Sequence, residues 1–110
     1  MARETLGLVQ GTVDVLILKT LSWKTLHGYG IAELIRERSD GDLAVEDAAL
    51  YQALHRLERK GFVESEWGIS HTNRRARFYS ITSEGRKQLR TELVELRRYV
   101  SALFRVLEPA

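Results

Sequence analysis

The stretch "VEDAALYQALHRLERKGFVESEWGISHTNRRARFYSIT", residues 45–82, decides how this chain is read. Its first part places Leu50, Ala53, Leu54 and Leu57 at the three- and four-residue steps of one helical face, and Gly61 follows where a helix would stop. Glu46 and Asp47 sit where carboxylates complement the positive end of the helix dipole, so a helix is expected over 46–60. "FVESEW" and "RFYSI" then read as strands, joined by a polar, glycine-containing segment from Gly68 to Arg75. That hairpin gathers Arg74, Arg75 and Arg77 with no acid among them. Such a cluster repels itself, so folding alone gives little reason for it, and an anionic partner is the natural one.

Working outward, "GTVDVLILKTLSWK" predicts a short helix with Thr12 as N-cap. Val13, Leu16, Ile17, Leu18 and Leu21 are apolar almost all round it, which calls for cover on more than one side. A buried central helix satisfies that, and so does a helix shared with a second subunit. "LHGYG" supplies a turn, "IAELIRERS" a helix, and "DGD" at 40–42 a second turn. After Thr82, a residue type that caps helix N-termini, Leu89, Leu93, Leu96, Val100, Leu103 and Leu107 alternate in steps of four and three. This predicts a last helix from about Ser83 to Leu107, roughly 37 Å long and longer than a small domain needs. Its surplus seam, widened by Phe104 and Val106, points to a partner helix.

The order is helix, helix, helix, strand, basic hairpin, strand, long helix: mainly α with a small β-hairpin wing, a winged helix-turn-helix followed by a C-terminal dimerisation helix. The expected division is 1–82 for the winged domain, with 1–10 as an N-terminal arm, and 83–110 for the dimerisation helix.

Composition narrows the function. The 110 residues suit one domain, and cysteine is absent, which removes disulfides and thiolate metal sites. His27, His55 and His71 share no metal-ligand spacing, so neither metal nor cofactor is expected. "MARETLGLVQG" has no secretory pattern, and Val13–Leu21 is too short and too polar to span a bilayer; a cytoplasmic protein without a membrane partner is expected. Net charge is only +2, yet 74–87 holds five basic residues and one acid, while 33–42 holds four acids and two arginines. No nucleophile–base pair or phosphate-cradling glycine loop marks an enzyme.

On the third helix, the face away from the leucines carries Ala48, Gln52, His55 and Arg59, flanked by Tyr51 and Arg56. Gln and Arg can pair with purine edges in a major groove. Taken alone, this is an ordinary solvated helix face; with the basic hairpin beside it, double-stranded DNA is favoured. The expected contacts are base reading by Gln52 and His55, close approach at Ala48 and Ala49, phosphate contacts from Tyr29, Tyr51, Arg56 and Lys60, and a wing of Asn73, Arg74, Arg75 and Arg77. Tyr29 is equally read as a half-buried packing residue, and Trp23 and Trp67 are read as packing residues. The rival reading is a winged-helix interaction module whose basic hairpin docks on an acidic protein.

"LHGYG", "ALYQALHRLERKGFVESEW" and "NRRARFYSITSEGRKQL" together resemble the PadR family of bacterial transcriptional regulators, specifically its short members, from about Leu6 to Leu89. The resemblance implies a homodimeric repressor in which the last helix, with the first, makes the dimer and the third helix and wing hold a palindromic operator. Some members release DNA on binding phenolic or other aromatic small molecules, so a small aromatic effector is among the implied partners. By position, the recognition-helix Leu-Tyr pair is Leu50 and Tyr51, the basic-aromatic run is Arg77, Phe78 and Tyr79, and the turn tyrosine is Tyr29. The chain departs from the pattern at Ala48 and Ala49, where Gly-Ser or Gly-Thr is usual, and at Gln52, where proline is usual. The implied dimer contacts are Leu89, Leu93, Leu96, Val100, Leu103, Phe104 and Leu107.

Overall fold

A computed structural model describes Leu8 and residues 11–109; apart from Leu8, which packs against the core, the expected N-terminal arm lies outside the described residues. The elements are α1 (Thr12–Trp23), β1 (Leu26–His27), α2 (Gly28–Arg38), α3 (Asp47–Arg59), β2 (Val63–Ile69), β3 (Arg75–Ile81) and α4 (Ser83–Leu107). The strands form one antiparallel sheet in the order β1-β3-β2. This is a winged-helix fold with a long C-terminal helix.

The all-round apolar character of α1 is explained by its position. It packs against α2, α3, α4 and β3, so that Ile17 and Leu18 are wholly buried. Thr20, the buried polar residue of α1, satisfies its hydroxyl by donating to the Ile17 carbonyl at 2.8 Å. Ile31, Leu50, Leu54 and Leu57 complete the centre of the core. Each contributes roughly 1.5–3 kcal/mol on burial.

α3 ends as its sequence requires. Gly61 takes φ +79, Phe62 N–H reaches the Leu57 carbonyl at 2.9 Å, and Gly61 N–H reaches that of Glu58 at 3.0 Å. These are the paired bonds of a Schellman stop. Glu46 and Lys60 are the two caps of the helix expected over 46–60. Thr82 caps α4, its Oγ1 accepting from Gly85 N–H at 3.0 Å while donating to the Gly61 carbonyl at 2.7 Å. One hydroxyl thereby fixes the start of α4 to the end of α3.

Several expectations are corrected. The N-cap of α1 is Gly11 at φ +91, and Thr12 is the first helical residue. "LHGYG" is not a free turn: Leu26 and His27 pair with Tyr79 and Phe78 of β3, and Gly28–Gly30 open α2. His27 Nδ1 caps that helix by accepting from Gly30 N–H at 3.0 Å. The hairpin loop is also shorter than 68–75. The strands continue to Ile69 and from Arg75, because Asn73 adopts φ +61 and lets a tight turn close through Ser70 N–H to the Arg74 carbonyl at 2.8 Å. Gly68 lies within β2 against the Phe78 ring, marking close packing and not a bend.

Neither tryptophan is a core residue. Trp23 has the cations of Lys19 and Arg38 against its ring, and Trp67 those of the wing arginines Arg75 and Arg77. The α4 seam divides as well. Leu89 is buried in its own domain's core, with Leu93 and Leu96 packed partly against it, because the first turns of α4 lie on α1. Only beyond them do Val100, Leu103, Phe104 and Leu107 stand exposed.

Candidate nucleic-acid interface

Strand alternation sorts the charges of the wing. In the β2–β3 register Ser65 faces Tyr79, Trp67 faces Arg77, and Ile69 faces Arg75, so these six side chains share one side of the sheet. Glu64 and Glu66, paired with Ser80 and Phe78, belong to the other. The acids are therefore kept off the basic face by period alone.

That basic face continues onto the helices. Tyr51, Gln52, His55 and Arg59 of α3 line an open groove with Arg77 and Tyr79. A neighbouring groove is bounded by Tyr29 at the start of α2, by Tyr51, and by Trp67, Arg74 and Arg75. Tyr51 belongs to both, so helix start, recognition face and wing form one continuous concave surface. Tyr29 is 69% exposed, which decides against its reading as a half-buried packing residue.

Tyr51 is seated by a glycine. A Cβ on Gly28 would stand 2.6 Å from the Tyr51 hydroxyl oxygen and 2.9 Å from Cζ, so the phenol lies against the bare backbone at the first residue of α2. Arg77 is anchored at the base of the wing: its Nε donates to Ser65 Oγ at 2.8 Å, Nη2 approaches Glu58 at 3.5 Å, and Ser65 donates to the same carboxylate at 2.7 Å. Burial pushes the Tyr79 phenol above its ordinary value; the positive charge of Arg77 opposes this, while Glu58 and Tyr51 add to it. Tyr79 stays a neutral wall of the groove.

The structure does not bring every expected residue to this surface in the same way. Arg56 lines the groove, but its guanidinium is held by Asp14 of α1, Nη2 to Oδ1 at 2.6 Å. Lys60 sits at the C-cap, about 18 Å along α3 from Ala48. Ala48 is exposed in the groove and Ala49 is exposed beside it. Asn73 is exposed, and its conformation shapes the wing turn. Asp14, Glu58, Ser65, Gly28 and Trp67 were not singled out from sequence as parts of a site. Asp14 and Gly28 meet partners on another helix, and Glu58, Ser65 and Trp67 find theirs only once the hairpin has paired and docked beside α3. The period-two spacing of Glu64 and Glu66 against Arg75 and Arg77 is the sequence signal from which the sorting of charge can be read.

Residues 17–91 match the family model described as "Transcriptional regulator PadR-like family", well over half of the chain. The chain belongs to the PadR-like family. Among solved structures, this PadR-like chain is similar to a transcriptional regulator from Clostridium thermocellum, 30% identical, TM-score 0.83, covering 90% of this chain and 96% of that one. It is similar also to a PadR family transcription regulator from Clostridium difficile, 30% identical, TM-score 0.76, covering 89% and 100%. Bacillus subtilis PadR, solved in complex with operator DNA, shares the fold at 24% identity and TM-score 0.67, over 76% of this chain and 47% of that one. PadR-like proteins are regulators of transcription, and no described helix is long and apolar enough to cross a membrane.

Proposed function

We propose that this PadR-like regulator is a homodimeric repressor that binds a palindromic DNA operator through α3 and the wing. The observation that carries the reading is the single concave surface on which Tyr29, Tyr51, Gln52, His55, Arg74 and Arg75 meet, with Glu64 and Glu66 turned away. Gln52 and His55 are the base readers; Tyr29, Tyr51, Lys60 and the wing arginines meet phosphates, and the counterions they release favour binding. Bacillus subtilis PadR, which has the same fold, was solved in complex with operator DNA, and this supports DNA as the ligand.

Dimerisation is supported by the far half of α4, where Val100, Leu103, Phe104 and Leu107 are exposed although they continue the seam that begins in the core. Two copies related by a two-fold axis would present two α3 helices to half-sites about 34–36 Å apart. A cytoplasmic location is part of the same proposal, since an operator-binding protein works where the DNA is.

The test is selection of bound duplexes from a random-sequence pool at two salt concentrations. A two-fold-symmetric motif whose affinity falls steeply with salt is expected. Salt-steep binding without a motif would indicate a nonspecific architectural role. Folded protein that binds no duplex at low salt would leave the interaction-module reading in its place.

A further inference from the structure

Trp67 is 56% exposed on the basic side of the wing, an unusual place for the largest side chain of a strand. The Arg75 guanidinium lies 4.6 Å from its ring centre and that of Arg77 lies 5.8 Å away. The two arginines differ in what else holds them. Arg77 has Ser65 and Glu58. Among the described residues the Arg75 side chain has no hydrogen-bond acceptor and no ion-pair partner; the indole is what holds it.

We propose that Trp67 is a positioning residue for DNA binding, its indole face holding Arg75 in place for a phosphate. This rests on the DNA-binding reading above. The chemistry follows from how each kind of contact uses a guanidinium. An acid partner, as at Arg56, occupies the N–H fork and cancels the charge. An aromatic face attracts the cation through its quadrupole and covers only the flat side, leaving the in-plane donors and the full charge for an anion. The sheet register makes this arrangement available, because Glu64 and Glu66 belong to the opposite side and Trp67 to the side of Arg75. Trp67 and Arg75 border the same groove as Tyr29 and Tyr51, so the held arginine faces the proposed DNA path.

The experiment is a double-mutant cycle on the full chain, reading affinity for one mixed-sequence DNA duplex at low salt, with circular dichroism to check each fold. Trp67→Ala is expected to weaken binding about fivefold in the wild-type background and less than about twofold once Arg75→Ala is present. Trp67→Phe should recover most of the loss, since a phenyl face still attracts the cation. A second cycle with Arg77→Ala should be near additive, because Arg77 has its own anchors. Equal Trp67→Ala losses with and without Arg75, or a Trp67→Phe variant as weak as Trp67→Ala, would overturn the proposal while leaving the DNA-binding reading intact. Wild-type protein that binds no duplex would overturn that reading and the proposal with it.

Discussion

Arg56 of α3 grips Asp14 of α1 with two nitrogens, Nη2 to Oδ1 at 2.6 Å and Nε to Oδ2 at 3.4 Å. The hydrogen bond, and behind it the carboxylate's charge, pushes the arginine above its already high ordinary value, so it is charged throughout. The pair ties α3 to the central helix of the core, and it withholds a cation from the groove.

Asp14→Ala should therefore act in two directions. Losing a partly exposed pair costs about 1 kcal/mol of stability. The released guanidinium, already at the groove wall beside Gln52 and His55, should strengthen duplex binding and steepen its salt dependence by about one phosphate contact. Thermal unfolding and fluorescence anisotropy across a salt series check this. Weaker binding with unchanged stability would mean that Asp14 orients Arg56 for DNA instead of withholding it.

Gly28→Ala separates fold from interface. Alanine normally favours a helix over glycine, but here the new Cβ would meet the Tyr51 hydroxyl. Tyr51 is half exposed and can swing aside, so the melting temperature should stay nearly unchanged. Duplex affinity should drop about tenfold if one charged hydrogen bond is lost with the displaced phenol. A variant that binds like wild type would show that the seat of Tyr51 does not matter to DNA.

Gly85→Ala should behave in the opposite way. Its Cβ would collide with the Phe62 carbonyl oxygen and stand 2.8 Å from Ile81 Cγ1. That carbonyl cannot move freely, since it also accepts from Thr82 N–H at 3.1 Å. A backbone collision in a buried junction should cost about 2–4 kcal/mol, read by chemical denaturation. An unchanged midpoint would contradict the tight docking of α4 at this turn.

What could be read in the sequence was set by range. Thr82 and Gly61 act on neighbours within a few residues, and both termini they govern fall where expected. The stripe of Leu50, Leu54 and Leu57 is likewise a local period. Trp67 and Trp23 misled because hydrophobic area argues for burial, while the cations that keep them at the surface are brought there by folding. β1 has two residues, too few for any period to show, and exists because β3 offers it an edge. Arg56 looked free because its acid is 42 residues away. Leu89 reads like every other leucine of its seam, and only the docking of α4 on α1 separates it from Leu103.

Alkaline pH should reveal the environment of Tyr79. Its folded value is raised, chiefly by burial, above the ordinary tyrosine value of about 10. Below that pH both folded and unfolded chains hold the proton, and the phenol's contribution to stability is fully present. Above it the unfolded chain releases the proton first, so stability falls as pH rises towards the folded value. Tyr79→Phe removes the titration. The stability difference between wild type and variant should thus shrink, or move in the variant's favour, only above about pH 10. A difference constant from neutral to strongly alkaline pH would show that burial leaves this phenol unperturbed.

The wing and α3 should fail differently when damaged. Arg74 and Arg75 are exposed on the wing; in the proposed mode they meet the duplex as charges, and a phosphate looks the same at every base pair. Replacing both with Ala should weaken binding to a similar extent across all duplex sequences, and reduce the salt slope by nearly two phosphate contacts. Gln52 is uncharged and exposed on α3, one residue from Tyr51, and in the proposed mode its side-chain amide addresses a purine edge. Gln52→Ala should leave the salt slope unchanged and relax discrimination at one base pair per half-site by about 1–3 kcal/mol. Competition binding with single-base operator variants, repeated over a salt series, distinguishes the two signatures. A double wing variant with an unaltered slope would remove the arginines from the phosphate path, and a Gln52 variant with unaltered preference would move base reading to His55 and Arg59.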